Sequence, residues 1–183
     1  HVAAQELKAV LDSGKTLKDL EGCEYYGEYH GITDPMGSDK PHPVSHVAYG
    51  YGACVATIDE KNFVSKMDVA FDVGRVINPK ACEGQVEGGT LMGMGYGVTE
   101  DFKMDNGRVV TKYGTLGLLR AKQRPDITVH FVEKGTPDQM AYGAKGIGEI
   151  ASIPMAPAIS NAYRHIDKEE RRRLPLQHTG YKR

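Results

Sequence analysis

The chain has 183 residues, with 23 basic and 24 acidic side chains, so its net charge is −1. Proteins that bind nucleic acid or membrane surfaces usually carry a clear basic excess, so this balance argues against both. No apolar run approaches the ~20 residues that cross a bilayer. Cys23, Cys54 and Cys82 are odd in number, far apart and outside any CxxC pattern, which argues against a disulfide framework or an iron–sulfur site. The sequence predicts a cytoplasmic protein.

The N-terminal part is predicted to be helical and then rich in turns. Apolar residues recur at helical spacing over residues 2–11, and Gly14 supplies a stop. The chain begins at His1 with this helix already under way, and we therefore expect a piece of a longer polypeptide. Residues 21–45 are rich in Gly, Pro, Tyr and Asp, which predicts a turn-rich connection.

The middle and C-terminal parts mix strands with helices. Two alternating apolar runs within residues 46–74 predict an antiparallel hairpin, and Asn78-Pro79 predicts the start of a helix that runs to about Glu100. Segments 107–110 and 126–133 are predicted strands, and 151–166 a predicted helix. Without a βαβ rhythm, the fold class is α+β, with mostly antiparallel strands and packed helices. The predicted parts are a helix (1–20), a turn-rich connection (21–45), a β-hairpin (46–74) and an α+β lobe (78–183).

Four features of the sequence resemble binding motifs but favour purely structural interpretations. "SGKT" at 13–16 lacks the further glycine of a phosphate-binding loop, and "GMGYG" at 93–97 has the wrong spacing for a dinucleotide fingerprint. His42 and His46 are interpreted as loop residues rather than metal ligands, because Pro41 and Pro43 prevent the helical geometry that would align the two side chains. "KEERRR" at 168–173 is interpreted as an exposed face or a contact between subunits.

The glycines of the helix after Pro79 form a pattern of their own. Gly89, Gly93 and Gly97 recur every four residues and leave one helical face without side chains. Something must approach that face closely. We favour another helix over a ligand.

A second glycine-rich segment, "AYGAKGIGEIASIP" at 141–154, holds one carboxylate, Glu149, behind Gly146 and Gly148. Glycines let backbone N–H groups approach an anionic ligand without a Cβ in the way. Lys145 could add a cation, and the N-terminus of the predicted helix adds a positive end. The alternative is a glycine-rich turn whose acid caps the helix. The glycines favour a binding loop.

Three ordered motifs carry a family resemblance. "FDVGRVINP", "GQVEGGTLMGMGYG" and "AYGAKGIGE" resemble the C-terminal part of the molybdenum-binding subunit of the xanthine dehydrogenase/aldehyde oxidase family, within its second molybdopterin-binding domain. "DPMGSDKPHPVSHVAYGYG" is similar to the same family, in particular to its bacterial purine-hydroxylating members. The resemblance runs from about residue 20 to the end of the chain.

The resemblance implies a molybdenum hydroxylase that adds a water-derived oxygen to a purine, another N-heterocycle or an aldehyde. By motif, Glu149 is the general base beside the molybdenum. Lys145, Gly146, Ile147 and Gly148 match the loop whose backbone lies against the pterin. Gln85 matches a glutamine near the metal, and no residue of this chain is expected to be a direct metal ligand.

The resemblance also implies partners. The molybdenum–molybdopterin cofactor is shared with upstream parts of the same subunit, and iron–sulfur and flavin (FAD) groups belong to other domains or subunits. This chain alone is therefore expected to be inactive, with no nucleic-acid or membrane partner. The alternative function is a non-catalytic assembly module in which the Gly89–Gly93–Gly97 face binds a partner helix.

Overall fold

A computed structural model describes residues 1–44, 49–136 and 140–181. The chain forms two compact units, residues 1–47 and 48–183. The α+β fold predicted from the sequence is confirmed, with the following helices and strands: α1 (Val2–Asp12), β1 (Gly52–Ile58), β2 (Val64–Asp72), α2 (Pro79–Val98), β3 (Met104–Asp105), β4 (Arg108–Val109), β5 (Asp126–Val132) and α3 (Met155–Asp167). Among these helices, within the described residues, none is long and apolar enough to cross a membrane.

The first unit contains one α-helix followed by irregular chain. Helix α1 ends at Asp12, and Gly14 takes a left-handed conformation with φ of 97° that suits a glycine after a helix. The predicted helical segment 1–20 is therefore interrupted, and Leu17–Leu20 form a separate 3₁₀ turn with a Thr16 cap. Residues 21–44 consist of turns and extended chain, as predicted. His42 is exposed, whereas His46 lies outside the described residues.

The second unit is built on a three-stranded sheet in the order β1-β2-β5. The predicted hairpin is confirmed: β1 and β2 pair antiparallel from Gly52↔Phe71 to Ile58↔Val64. Strand β5 pairs parallel to β2, so the chain between them, which includes α2, makes a crossover. This parallel pairing was not predicted, because register between distant strands is decided by burial and not by local pattern.

One face of the sheet carries the hydrophobic core. Met67, Val69 and Phe71 of β2 are buried, while Lys66 and Asp68 point to the opposite, solvent-facing side. Helices α2 and α3 cover the core face and contribute Val86, Met94, Val98, Met155, Ile159 and Tyr163. The sheet is therefore one layer and the two helices a second, and their packing positions the loops at their ends.

Two predicted element boundaries need correction. Helix α3 begins at Met155 and not at residue 151, because Glu149–Ser152 form a separate 3₁₀ turn before Pro154. The predicted strand at 107–110 is only the short β4, and it pairs with the unpredicted β3 across Asn106-Gly107. Both turn residues have positive φ, which is the conformation of a tight hairpin turn of the Asn-Gly type.

The tail motif "KEERRR" is only partly an exposed face. The guanidinium of Arg171 pairs with both carboxylate oxygens of Asp167, at 3.2 and 2.7 Å, and lies 5.0 Å from the ring centre of Tyr163. Only 2% of the Arg171 side chain is exposed, so the expectation of an exposed face is wrong for this residue. Arg171 also donates to the carbonyls of Gln177 and His178, which fixes the C-terminal tail against α3.

Candidate functional site

The loop that carries Glu149 is attached to the end of β2. Gly74 and Ala144 form an isolated antiparallel bridge. On either side of this bridge, Arg75 N donates to Gly143 O at 2.8 Å and Lys145 N donates to Val73 O at 3.0 Å. The sheet therefore holds the start of the loop by main-chain hydrogen bonds, which do not depend on side-chain identity.

Three glycines make this attachment possible. A Cβ on Gly74 or on Gly135 would lie 2.1 or 2.0 Å from the Gly143 carbonyl oxygen, and one on Gly143 would lie 2.6 Å from Thr136 N. Gly74 and Gly143 also have positive φ values of 65° and 80°. Sequence reasoning gave Gly74 and Gly135 no role; the only available signal was a glycine soon after each of two predicted strands.

The segment before the loop adopts an unusual left-handed turn. Ala141 and Tyr142 have φ values of 52° and 57°, and Gly143 continues the same hand. A left-handed non-glycine residue costs about 1 kcal/mol or more. The turn is closed by a 3.1 Å hydrogen bond from Ala144 N to Ala141 O. Strain of this kind persists only where neighbouring structure holds it in place, and the glycine contacts around Gly143 supply that support.

Beyond Lys145 the backbone of the loop is bare. A Cβ on Gly146 or Gly148 would meet no other atom of the described residues within 4 Å. The N–H groups of residues 146–149 find no acceptor within the described part of the chain. Neither glycine has a left-handed φ. The absence of side chains therefore leaves open space and free donors at this point of the loop.

Ile147 is oriented differently from its glycine neighbours. It is half-buried and packs against the hydrophobic core, whereas Gly146 and Gly148 on either side of it are exposed. The alternation anchors the loop through one apolar side chain. The bare backbone on both sides of Ile147 remains accessible.

Glu149 is the first residue of the 3₁₀ turn Glu149–Ser152, and it is exposed. Its carbonyl accepts a 2.8 Å hydrogen bond from Ser152 Oγ, which closes the turn. The expectation that Glu149 lies at the N-terminus of the following α-helix needs correction, because α3 begins only at Met155. The dipole of α3 acts within its first turn and does not reach this carboxylate directly.

The glycine face of α2 fixes the position of this turn. A Cβ on Gly89 would stand 2.5 Å from Ala151 Cβ, and one on Gly93 would stand 2.3 Å from Ser152 O. All three glycines of the stripe are buried, and Gly97 packs on α3. The prediction of close packing against another element is therefore confirmed, and that element is the chain's own turn and helix.

Gln85 joins α2 to the loop. Its side chain is exposed on the helix surface, and its amide Nε2 donates to Gly148 O at 3.2 Å across 63 residues of sequence. Gly84 and Gly88 are its nearest glycines on the same helix. A Cβ added to either would meet no atom of the described residues within 4 Å. The structure thus brings Gln85 together with the bare loop.

The ammonium group of Lys145 points back to the sheet. Its Nζ lies 2.6 Å from Oδ2 of Asp72, and the two side chains are 33% and 14% exposed. This ammonium, followed by the backbone N–H of Gly74, holds the pKa of Asp72 below its usual value. Lys145 therefore strengthens the attachment of the loop to β2, and its charge is compensated by Asp72.

Other possible reactive groups and cavities do not add to this site. Burial raises the pKa of the half-buried Cys54 thiol to about 11, so it is a poor nucleophile near neutral pH. Within residues 1–44, 49–136 and 140–181, no three His, Cys, Asp or Glu side chains form a group suited to a metal ion. A cavity of about 550 Å³ beside the β1–β2 turn is lined by residues such as Phe63, Lys122 and Tyr181, and by none of the predicted site residues.

Comparison with known protein families shows to which family the chain belongs. The model of the family described as "Molybdopterin cofactor-binding domain" matches residues 3–125, about two thirds of the chain. The chain belongs to this molybdopterin cofactor-binding domain family. The matched range includes Gln85, whereas the Glu149 loop lies beyond it.

Individual relatives extend the likeness toward the C-terminus. The putative xanthine dehydrogenase molybdenum-binding subunit XdhA of Escherichia coli is 31% identical over 167 residues, 88% of this chain and 22% of that protein. The aldehyde oxidoreductase of Megalodesulfovibrio gigas is 33% identical and covers 85% of this chain and 20% of that protein. The crystal structure of quinoline 2-oxidoreductase from Pseudomonas putida 86 superimposes with a TM-score of 0.55 at 28% identity, covering 64% of this chain and 16% of that one. The chain spans about a fifth of the length of these curated relatives.

The relatives confirm the family expected from the sequence but not the subtype. The resemblance pointed in particular to purine-hydroxylating members, but proteins named for xanthine and for an aldehyde match this chain at similar identity, 31% and 33%. Family membership is therefore shown, and the subtype is not. The reason is physical: the matched motifs build the domain scaffold that such proteins share, and a shared scaffold carries no information on the substrate.

Proposed function

We propose that this chain forms one wall of the molybdopterin site of a molybdenum hydroxylase, with Glu149 as its general base. The observation that carries the proposal is the hydrogen bond from Gln85 Nε2 to Gly148 O. This bond joins two segments far apart in sequence around a surface of bare backbone. An exposed carboxylate, that of Glu149, lies next to that surface in the chain.

The residues present fit a large anionic cofactor. The N–H groups of residues 146–149, which have no acceptor in the described part of the chain, can donate to phosphate or pterin oxygens. The space that the described residues leave open before Gly146 and Gly148 admits a bulky group. Gln85 offers the second N–H of its amide. Ile147 and the Lys145–Asp72 pair hold the loop in place from the core side. These residues would therefore hold the group mainly by main-chain contacts.

The role proposed for Glu149 is proton transfer at its carboxylate oxygens. When bound, the molybdenum–pterin group supplies the two-electron oxidation that adds a water-derived oxygen to a C–H bond of the substrate. A single carboxylate can then serve as the base, provided that it is near and oriented. The turn Glu149–Ser152, packed on Gly89 and Gly93, supplies that orientation.

For the substrate, we propose a purine of the xanthine or hypoxanthine type. The support is the sequence motif at residues 34–52 together with the relative named as a xanthine dehydrogenase subunit. Another N-heterocycle or an aldehyde is the alternative, supported by relatives named for isoquinoline and for aldehyde oxidation.

For partners, we propose the remainder of the molybdopterin subunit together with iron–sulfur and FAD-containing domains or subunits. The support is that this chain spans about a fifth of its curated relatives, and that several of those are named as subunits. The non-catalytic assembly alternative is less well supported. It relied on the Gly89–Gly93–Gly97 face to bind a partner, and that face is packed against the chain's own residues.

The test is Glu149→Gln in the complete enzyme, with Glu60→Gln in the exposed β1–β2 turn as a control of equal charge change. We expect the first variant to lower kcat at least ~100-fold, in the range that general bases contribute, with normal molybdenum and pterin content. The control should keep full activity. Unchanged turnover of Glu149→Gln on a panel of purines, N-heterocycles and aldehydes would refute the assigned role, and the panel identifies the substrate class.

A further inference from the structure

The segment between α2 and β5 contains a groove that the proposed cofactor site does not use. The groove is held open by hydrogen bonds: Val110 N donates to Lys103 O at 3.0 Å, and Asp101 N donates to Leu116 O at 2.9 Å. Gly117 has a φ of 95°, and a Cβ there would stand 2.4 Å from Thr99 O. The groove is therefore a preformed feature of the fold.

The walls of the groove are apolar and exposed. It encloses about 510 Å³, within the general range of binding pockets, and Phe102, Tyr113 and Leu118 line it. These three side chains are 62%, 105% and 67% exposed. An apolar surface of this kind is usually covered by a binding partner.

More exposed apolar side chains follow close to the groove along the chain. Met104, Val109 and Val110, on and beside the β3–β4 hairpin, are each more than half exposed. A small ligand would fill the cavity and leave this hairpin surface in contact with water. The extent of the surface fits a polypeptide segment better than a small molecule.

The charges at the groove have one sign. Among residues 1–44, 49–136 and 140–181, the ionisable groups that line it are Lys112, Arg120 and the Tyr113 phenol, and none of its lining residues there is an acid. Within the part of the chain that the structure describes, neither of these two cations forms an ion pair. Two unpaired cations beside apolar walls are complementary to carboxylates that flank an apolar or aromatic side chain.

We propose that this groove binds an acidic segment with apolar or aromatic residues, from a part of the enzyme outside these 183 residues. Leu118, Phe102 and Tyr113 contact the apolar side chains of that segment. Lys112 and Arg120 pair with its carboxylates. The inference rests on the proposal that further parts of the enzyme accompany this chain, but it does not depend on the role of Glu149 and survives if that role is wrong.

The test uses the complete enzyme and lysine chemistry. A carbodiimide links an ammonium directly to a carboxylate in contact with it, so we expect Lys112 to be cross-linked to an Asp or Glu outside residues 1–183. Acetylation of Lys112 should be at least fivefold slower than that of Lys61, an exposed lysine in the β1–β2 turn, after each rate is normalised to the urea-unfolded protein.

Variants complete the test. Leu118→Asp should raise the acetylation rate of Lys112 at least fivefold, because a carboxylate in the groove repels the proposed segment. Leu17→Asp, an equally exposed leucine of the other unit, should leave that rate unchanged. Lys112 reacting as fast as Lys61, cross-links confined to residues 1–183, or protection lost when small molecules are removed by gel filtration would each overturn the proposal.

Discussion

The packing of α2 on the turn Glu149–Ser152 leads to a sharp prediction for Gly93→Ala. The new Cβ would stand 2.3 Å from Ser152 O and 3.1 Å from Met155 Cβ. Non-bonded contacts ordinarily lie at about 3.5 Å, so the turn must retreat by roughly 1 Å. The atoms in the way belong to the backbone and to a Cβ, and they cannot rotate aside.

The energetic and functional consequences differ in size. Overpacking of this kind costs about 1–3 kcal/mol, and replacing a helical glycine by alanine returns roughly 1 kcal/mol, so the net loss of stability is modest. A displacement of about 1 Å at a catalytic group can lower turnover ~100-fold. We therefore expect Gly93→Ala to fold and to retain cofactor but to lose most of its kcat.

The matched control is Gly97→Ala, one helical turn along the same stripe. Its Cβ would stand 3.3 Å from Ala156 Cα and Cβ, which requires only a slight adjustment. The assays are kcat per bound molybdenum and amide hydrogen exchange of peptides covering residues 145–160 in the complete enzyme. Equal exchange and equal kcat in the two variants would show that the stripe does not position the Glu149 turn.

Three further predictions concern the loop and the tail. Gly148→Val should lower molybdenum and pterin content at least tenfold without altering the fold, as checked by metal analysis and circular dichroism; normal content would contradict the proposed cradle. Lys145→Met should speed amide exchange around the loop attachment, because Asp72 loses its partner, and Lys145→Arg should restore slow exchange. The hydrogen bonds from Arg171 lower the pKa of Asp167 to about 2 in the folded protein. The stability that this pair contributes is therefore fully present at a pH above the pKa of an unfolded Asp, and it is lost as the pH falls toward the folded-state pKa. Asp167→Asn should reduce the drop in melting temperature between about pH 5 and pH 2, and an unchanged drop would show that this pair is not involved.

The pattern of single residues was sufficient to predict the main elements. Asn78-Pro79 marks the start of α2 because both residues act locally: Asn78 Oδ1 accepts a 3.1 Å hydrogen bond from Ala81 N, and a proline in the first turn loses no bond. Alternating apolar residues on both sides of the turn at 59–62 predicted the β1–β2 hairpin, because this pattern too depends only on neighbours along the chain. The Asn106-Gly107 turn is equally local, because both residues accept the positive φ that a two-residue hairpin turn requires.

The candidate site was predictable only in part. The glycines near Glu149 indicated a bare backbone, and Gln85 was named through a family resemblance. No spacing could show that Gln85 Nε2 reaches Gly148 O, or that Lys145 is neutralised by Asp72. Both contacts join residues more than 60 positions apart, and their geometry depends on the packing of α2 and β2.

The amino-acid sequence by itself determined the α+β class, the caps and turns, and the glycine positions, because caps, periodicity and left-handed turns are decided by neighbours along the chain. Only the tertiary structure decided which surfaces those glycines serve: one stripe of α2 is closed by the chain's own turn, while Gly146 and Gly148 face open space. It also decided that the Arg171 side chain is buried and that β5 pairs parallel to β2. The physical reason is that burial and close approach are properties of surfaces brought together by folding, and a local stretch of sequence contains only one of the two surfaces.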